Sequence, residues 1–531
     1  MRGILALLFL QMVALCASTE LSTTSRWIVH HTSGKRVRLA CVNWPSHVEP
    51  MIAEGLEKKP LRHIVKKIAE NGFNCVRLTW ATYMFTRPEY GSLRVSESLG
   101  KYNLSAARDG IVRNNPQILN MTVVELHKAV VDELGRRKVM VVLDNHVSRP
   151  TWCCGDKDGN GFFGDADFEV EEWLRGLAAV AEAYRDTHAV VGISMRNELR
   201  GNRQNEAEWY KYMQEGGNTI HTHNPDVLII VSGLNYAGNL GFLKSQPLAV
   251  NFTNKLVFEA HWYSFGTSAE QWVAQTNQLC GTITKWALDN YLFLTQGNNS
   301  FPLFISEFGI NQRGDSEADN RYIGCMLAAV AEFDVDWALW TLQGSYILRE
   351  GHVDLEEFYG LLDFNWDRLR NPAFLDRLQV LRQINQDYKS KHPTHYIMLH
   401  PLSGLCVHIA KNGMVAMASC KRATRWDQHR DGWPIKLAGS SKCLGVAGDG
   451  EDPRVSRHCS SKWKYVSSSG LHLAAQDTRG EHLCLELEKN ASDSKIVTKK
   501  CLCIGDDDLA DLPTCADNPQ AQWFKLIPTN I

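Results

Sequence analysis

The chain has 531 residues, 44% of them hydrophobic and 22% charged, with a net charge of -2. That length suits two domains and supplies ample material for a core. The near-zero charge gives no footprint for a polyanionic partner, so no nucleic acid is expected.

In chain order, residues 1–18 read as a secretory signal. Arg2 supplies the charge, residues 4–15 are apolar, and Cys16, Ala17 and Ser18 are small. The apolar run is too short for a good membrane span, and no later run of that length is free of charges and turn residues. Fifteen cysteines are present, and loss of Cys16 would leave an even number, as suits an oxidising compartment. Asn103, Asn120, Asn251, Asn298 and Asn490 each open a glycosylation sequon. The expectation is a secreted monomer, extracellular or in a cell wall.

From residue 38 onward, apolar strand-like runs alternate with helical periodicity. Strands are expected at 38–44, 73–80, 139–145, 190–195, 227–231, 256–260, 303–306 and 335–340. Helices are expected at 60–71, 121–137, 168–184, 206–221, 271–291, 319–332 and 372–388. Eight strands, most of them separated by helices, imply an α/β fold with a parallel sheet closed into a (β/α)₈ TIM barrel over residues 19–393. No Gly-rich phosphate loop follows the first strand, which counts against dinucleotide binding.

A barrel places its chemistry at the C-terminal ends of its strands. There the sequence carries Asn43, Trp44, Arg77, Asn145, His146, Asn197, Glu198, His261, Tyr263, Glu307 and Trp340. Two of these runs, VGISMRNE and PLFISE, end in glutamate. Two carboxyl groups flanking one bond are what glycoside hydrolysis requires. Glu198 would need to be protonated, which nearby negative charge from Glu307 would favour. Glu307 would need to be ionised, which donors from Arg77 and Tyr263 would favour. Asn197 could hold a sugar hydroxyl, and Trp340 could offer its face to a sugar ring.

This set resembles glycoside hydrolase family five, the cellulase family of clan A barrels. The resemblance spans residues 35–390 and rests on NCVRL with Arg77, LDNH with His146, the Asn197-Glu198 pair, EAHWY with His261 and Tyr263, SEFG with Glu307, and Trp340. It implies Glu198 as acid/base, Glu307 as nucleophile and Trp340 as aromatic platform. The implied function is a retaining β-glycoside hydrolase acting on a β-linked polysaccharide or glycoconjugate, with no cofactor required. A carbohydrate-binding protein built on an inactive barrel, or a transglycosylase using the same residues, are the alternatives.

The loop after the third strand reads TWCCGDKDGNGFFGDAD. Asp156, Asp158, Asn160 and Asp167 fall at positions of a calcium-loop template, although the same residues also suit a turn-rich surface loop. A structural calcium ion is the expectation to test here. Cys153 and Cys154 are expected to join separate disulfides.

Beyond residue 393 the texture changes to short strands, and a Cys–Cys–Trp pattern repeats three times. Cys406, Cys420 and Trp426 form the first unit, Cys443, Cys459 and Trp463 the second, and Cys484, Cys501 and Trp523 the third. Three such units suggest an all-β trefoil over residues 394–531, similar to the ricin B-type lectin family. The repeat implies disulfides Cys406–Cys420, Cys443–Cys459 and Cys484–Cys501, with Cys503–Cys515 stapling an insertion. The family's sugar-binding Asp is replaced by His408, Gly445 and Glu486, and its Gln-x-Trp is altered in every unit. The expectation is a weak lectin or none, with Glu486 as the surviving candidate.

Overall fold

The computed structural model describes residues 20–489, 494–502, 504 and 519–531. The segment expected to be a signal, Asn490, and Cys503 and Cys515, which were expected to pair, lie outside the described residues. Among the described residues no helix is long and apolar enough to cross a membrane.

Eight parallel strands close into a barrel. They are β1 (Ala40–Trp44), β2 (Cys75–Ala81), β3 (Met140–Val147), β4 (Val190–Ser194), β5 (Leu228–Ser232), β6 (Leu256–His261), β7 (Leu303–Phe308) and β8 (Asp336–Leu339). β8 pairs with both β1 and β7 to close the ring. Around it run α1 (Leu61–Glu70), α2 (Val123–Arg136), α3 (Val170–Ala183), α4 (Glu206–His223), α5 (Thr276–Asn290), α6 (Glu317–Phe333) and α7 (Pro372–Arg377). In α1 the apolar spacing buries Leu61, Ile64, Val65 and Ile68 against the barrel. α2 starts where Thr122 and Glu125 bond reciprocally, Glu125 N–H to Thr122 Oγ1 at 3.2 Å and Thr122 N–H to the Glu125 carboxylate at 2.8 Å.

The two-residue period of a strand sorts the side chains. Val76, Leu78, Val141, Leu143, Ile193 and Ile305 point outward into the helix layer. Cys41, Cys75, Val142, Val257, Phe304 and Ala338 fill the lower interior, where Leu21 and Ile28 of an N-terminal hairpin (Leu21–Thr24, Trp27–His30) join them. Cys41 and Cys75 face each other across β1 and β2 and are disulfide-bonded. Two residues further along the strands the interior turns polar, with Asn43, Arg77, Asp144, Ser194 and Glu259 all fully buried. That layer underlies the site.

Three parts depart from the sequence expectation. Between β2 and α2 the chain forms four further helices, Thr82–Thr86, Pro88–Gly91, Val95–Lys101 and Ser105–Asn114. After β8 a hairpin forms, Ser345–Arg349 with His352–Glu356. The last helix stops at Arg377, continues as a 3₁₀ turn over Leu378–Arg382, and does not reach Tyr388. The chain is drawn off its helical course by the buried Asp334. Its carboxylate accepts the Asn385 and Gln386 N–H groups at 3.2 and 2.9 Å, while Arg38 takes the Gln383 carbonyl at 3.3 Å. Those backbone groups would otherwise serve the helix.

The C-terminal region is all-β and antiparallel, running from β9 (His395–His400) to β10 (Lys525–Thr529), which pair with each other. Trp426, Trp463 and Trp523 are each fully buried. Disulfides Cys406–Cys420, Cys443–Cys459 and Cys484–Cys501 recur once per repeat, as the spacing implied. The region docks on α6 and α7. Lys525 pairs with Glu332 at 2.9 Å, and Arg377 donates to the Pro401 carbonyl at 3.2 Å.

Candidate active site

Arg77 is the hub. It projects from β2 into the barrel and is wholly buried. Its Nη1 donates to Glu307 Oε1 at 2.9 Å and to Asn43 Oδ1 at 3.0 Å. Its Nη2 donates to Asp144 Oδ1 at 2.8 Å and to Asn197 Oδ1 at 2.9 Å, with Glu259 Oε2 at 3.6 Å. Four strands and the segment after β4 are thereby tied to one guanidinium. The surrounding carboxylates keep it charged despite its burial, holding its pKa above the usual value.

Glu198 and Glu307 meet above this hub. One oxygen of each and one His261 nitrogen all lie within 4.8 Å of one another. His261 Nδ1 is 2.7 Å from Glu198 Oε1 and 3.7 Å from Glu307 Oε2. Tyr263 donates its hydroxyl to Glu307 Oε2 at 3.1 Å. Burial pushes both carboxyls up to about 7, opposed at Glu198 mainly by Arg200 and at Glu307 mainly by His261 and Arg77. For Glu198 this corrects the expected cause, since desolvation dominates rather than repulsion from Glu307. The two groups differ in their donors. Arg77 and Tyr263 both donate directly to Glu307, so a proton shared by the pair resides on Glu198.

The supporting residues are ordered in the same way. His146 Nδ1 sits 2.6 Å from Asp144 Oδ2, and its Nε2 faces Asn197 Nδ2 at 3.3 Å. Burial holds His146 well below its ordinary pKa, so its ring is neutral at neutral pH. Trp340 follows β8 directly and stacks on His146, with ring centres 5.6 Å apart and 17° between planes. Trp152 approaches the Trp340 edge at 6.2 Å.

The eight catalytic and supporting residues expected from strand ends therefore come together. Asp144, Glu259 and His47 were missed. Asp144 and Glu259 stand two residues before His146 and His261 on the same strand faces, so the alternation rule could have found them. His47 lies after β1, its ring 4.0 Å from that of His146, and no motif marks it.

The loop after β3 departs from expectation. Cys153 and Cys154 are bonded to each other, not to separate partners. Trp152 on one side packs against Tyr346, and Gly155 on the other is held by Arg200 through its carbonyl. The four residues matched to a calcium template are not brought to one point. Asp158 is paired with Arg200, Asp156 accepts from Tyr236, and Asp167 accepts from Arg149 Nε at 2.7 Å. Asn160 Oδ1 accepts from the Ser148 and Arg149 N–H groups at 2.8 and 3.1 Å. Among the described residues, the sets of metal-competent side chains that do converge are Cys153, Cys154 and Glu198, and Glu198, His261 and Glu307. The sequon residues Asn103, Asn120, Asn251 and Asn298 are all exposed.

Residues 52–345, more than half of the chain, match the family model for cellulase (glycosyl hydrolase family 5). The chain belongs to that family. Membership makes it a glycoside hydrolase, as the paired carboxyls require. A glycosyl hydrolase 5 family protein of Chamaecyparis obtusa is 42% identical over 546 residues, covering 100% of this chain and 97% of the relative. An endoglucanase of Paenibacillus polymyxa is 20% identical over 328 residues, covering 58% of this chain and 76% of the relative. Among solved structures, an endocellulase of Pyrococcus horikoshii in complex with cellotetraose shares the fold at TM-score 0.55 and 17% identity, over 69% of this chain and 100% of that one.

Proposed function

We propose that this glycoside hydrolase is a secreted, retaining enzyme that cleaves β-linked glucan chains in the manner of an endoglucanase. The observation that carries the reading is the Glu198–Glu307 pair, with oxygens within 4.8 Å of each other. That spacing suits direct attack by one carboxylate, whereas an inverting pair stands roughly 6.5–9.5 Å apart to admit a water. The names of the endoglucanase and endocellulase relatives support a glucan substrate.

The chemistry follows from the donors. Glu307, ionised by Arg77 and Tyr263, attacks the anomeric carbon. The bond to the leaving sugar breaks as Glu198 delivers its proton to the glycosidic oxygen. A glycosyl ester on Glu307 results. Water then attacks the same carbon, Glu198 takes the water proton, and Glu307 leaves as carboxylate. Asn197 is fixed through its Oδ1 by Arg77, and its Nδ2 stands between His146 Nε2 at 3.3 Å and the two sulfurs of Cys153 and Cys154 at 3.7 Å. On this reading that amide group meets the sugar 2-hydroxyl, a contact that strengthens in the transition state.

The C-terminal region is read as a ricin B-type trefoil that has lost most of its sugar binding. Glu486, its best polar candidate, is committed to Lys499 Nζ at 3.0 Å and Gln522 Nε2 at 2.8 Å. The deciding experiment incubates the purified chain with β-glucan, cellulose, mannan, xylan and aryl β-glycosides, followed by reducing-sugar assay. Release from a β-glucan with net retention supports the reading. Activity confined to another polymer would replace the substrate, and inactivity on all of them would end the proposal.

A further inference from the structure

A disulfide between adjacent residues closes the smallest ring a chain can make. It removes little freedom from the unfolded chain, unlike Cys280–Cys325, which spans 45 residues. Stability therefore gives little reason for Cys153–Cys154, and its location gives another. Both sulfurs lie 3.7 Å from Asn197 Nδ2. Both also lie within 4.8 Å of a Glu198 carboxylate oxygen. Cys153 is buried while Cys154 is half-exposed, so one sulfur backs onto the protein and the other opens to the cleft.

The flanks hold the pair in that place. Trp152 is wedged edge-on against Tyr346 at 5.3 Å, with the Arg349 guanidinium 3.5 Å over its ring. On the other side, Arg200 Nε donates to the Gly155 carbonyl at 3.0 Å, and Arg200 Nη1 donates to the Glu198 carbonyl at 2.7 Å. One buried arginine thus fixes the loop and the acid together.

We propose that the Cys153–Cys154 disulfide is a sugar-contacting wall of the active site, packing against the ring whose glycosidic oxygen reaches Glu198. The inference rests on the glycosidase reading and adds a contact to it. Bonded sulfur suits the place for two reasons. It presents a large polarizable surface to ring C–H groups. It also carries no thiol proton to compete with Glu198 and no thiolate to attack the anomeric carbon.

The test uses the full chain carrying Glu307→Gln, which can bind without turnover, and titrates it calorimetrically with cellotetraose, mannotetraose and xylotetraose. The same titration is run with Cys153→Ser and Cys154→Ser added. The expected result is weakening by roughly tenfold for whichever tetraose binds, with little change in melting temperature. A second measurement avoids the cysteine variants. A water-soluble phosphine reduces the disulfides of the Glu307→Gln chain, and alkylated peptides are followed by mass spectrometry. Saturating tetraose should slow reduction of Cys153–Cys154 several-fold and leave Cys443–Cys459, whose Cys459 is also half-exposed, unaffected. Unchanged affinity together with unchanged reduction rate would overturn the inference while leaving the glycosidase intact. Binding of no tetraose by the parent variant would overturn the proposed action on β-linked chains, and this wall with it.

Discussion

The barrel mouth and the C-terminal β region both repeat a sequence pattern, and the two patterns mean different things. At the barrel mouth the recurring feature is a polar residue on the inward face of a strand. Asn43, Arg77, Asp144, Glu259 and Glu307 converge on one another, and burial raises the carboxyls. In the β region the recurring residues are Trp, buried in every unit, and disulfide-bonded Cys, while the polar positions diverge to His408, Gly445 and Glu486. A repeat of apolar residues maintains a fold. A convergence of buried charged groups costs stability unless each is paired, so it persists where chemistry needs it.

The contrast would break first at Glu307. Glu307→Gln should lower kcat by on the order of 10⁴-fold or more, because it removes the nucleophile and leaves only binding and polarisation. Near-normal kcat on the best substrate would refute the assignment. Glu198→Gln should cost about 10²–10⁴-fold on a natural glucan, and much less on an aryl glycoside whose leaving group needs no proton. Equal losses on both substrates would remove Glu198 as the acid. Its proton is held by a pKa of about 7, so the wild-type rate should fall as pH rises through that value.

Next in size is the hub. Arg77→Met leaves Asp144, Glu259 and Glu307 without their buried counter-charge, and should destabilise the fold by about 3–5 kcal/mol. Urea denaturation would measure this, and a loss under about 1 kcal/mol would mean the carboxyls had taken up protons instead. Buried carboxyls also give stability a pH dependence. Burial raises Glu57 and Glu198 from 4.5 to about 7 in the folded chain. Between those values the folded state holds protons that the unfolded state has lost, so stability should fall as pH rises from about 4.5 to about 7. Thermal melts at pH 5 and pH 8 check the sign, and a higher midpoint at pH 8 would contradict it. The smallest effect belongs to the β region. Glu486→Ala should change kcat/KM on a soluble glucan by less than about twofold. A larger loss would give that region a part in catalysis.

Much of this could be read from the sequence where one physical rule acted alone. Each barrel strand is a short apolar run, and its C-terminal polar residue had to stand at the mouth. The Trp and Cys repeat fixed three disulfides in the same way. The reading failed where tertiary partners overrode local pattern. The stretch after residue 377 looks helical, but Asp334, Arg36 and Arg38 take its backbone groups. The helices between Thr82 and Asn114 leave no uninterrupted periodic run, since Pro88, Gly91 and Gly100 punctuate them. Asp144 and Glu259 lie one alternation beneath the strand ends, in a layer that no end-of-strand position marks. Adjacent cysteines suggested separate partners, whereas the two are bonded to each other.

Trapping the covalent intermediate tests the central claim most directly. The full chain is treated with a 2-deoxy-2-fluoro-β-glycoside bearing a good leaving group, digested, and mapped by mass spectrometry. The fluorine slows both steps, and the activated leaving group lets the first outrun the second. One fluoroglycosyl group per chain is expected, on the peptide bearing Glu307 and absent from Glu307→Gln. A label on Glu198, or a product of inverted configuration with a natural glucan, would contradict it.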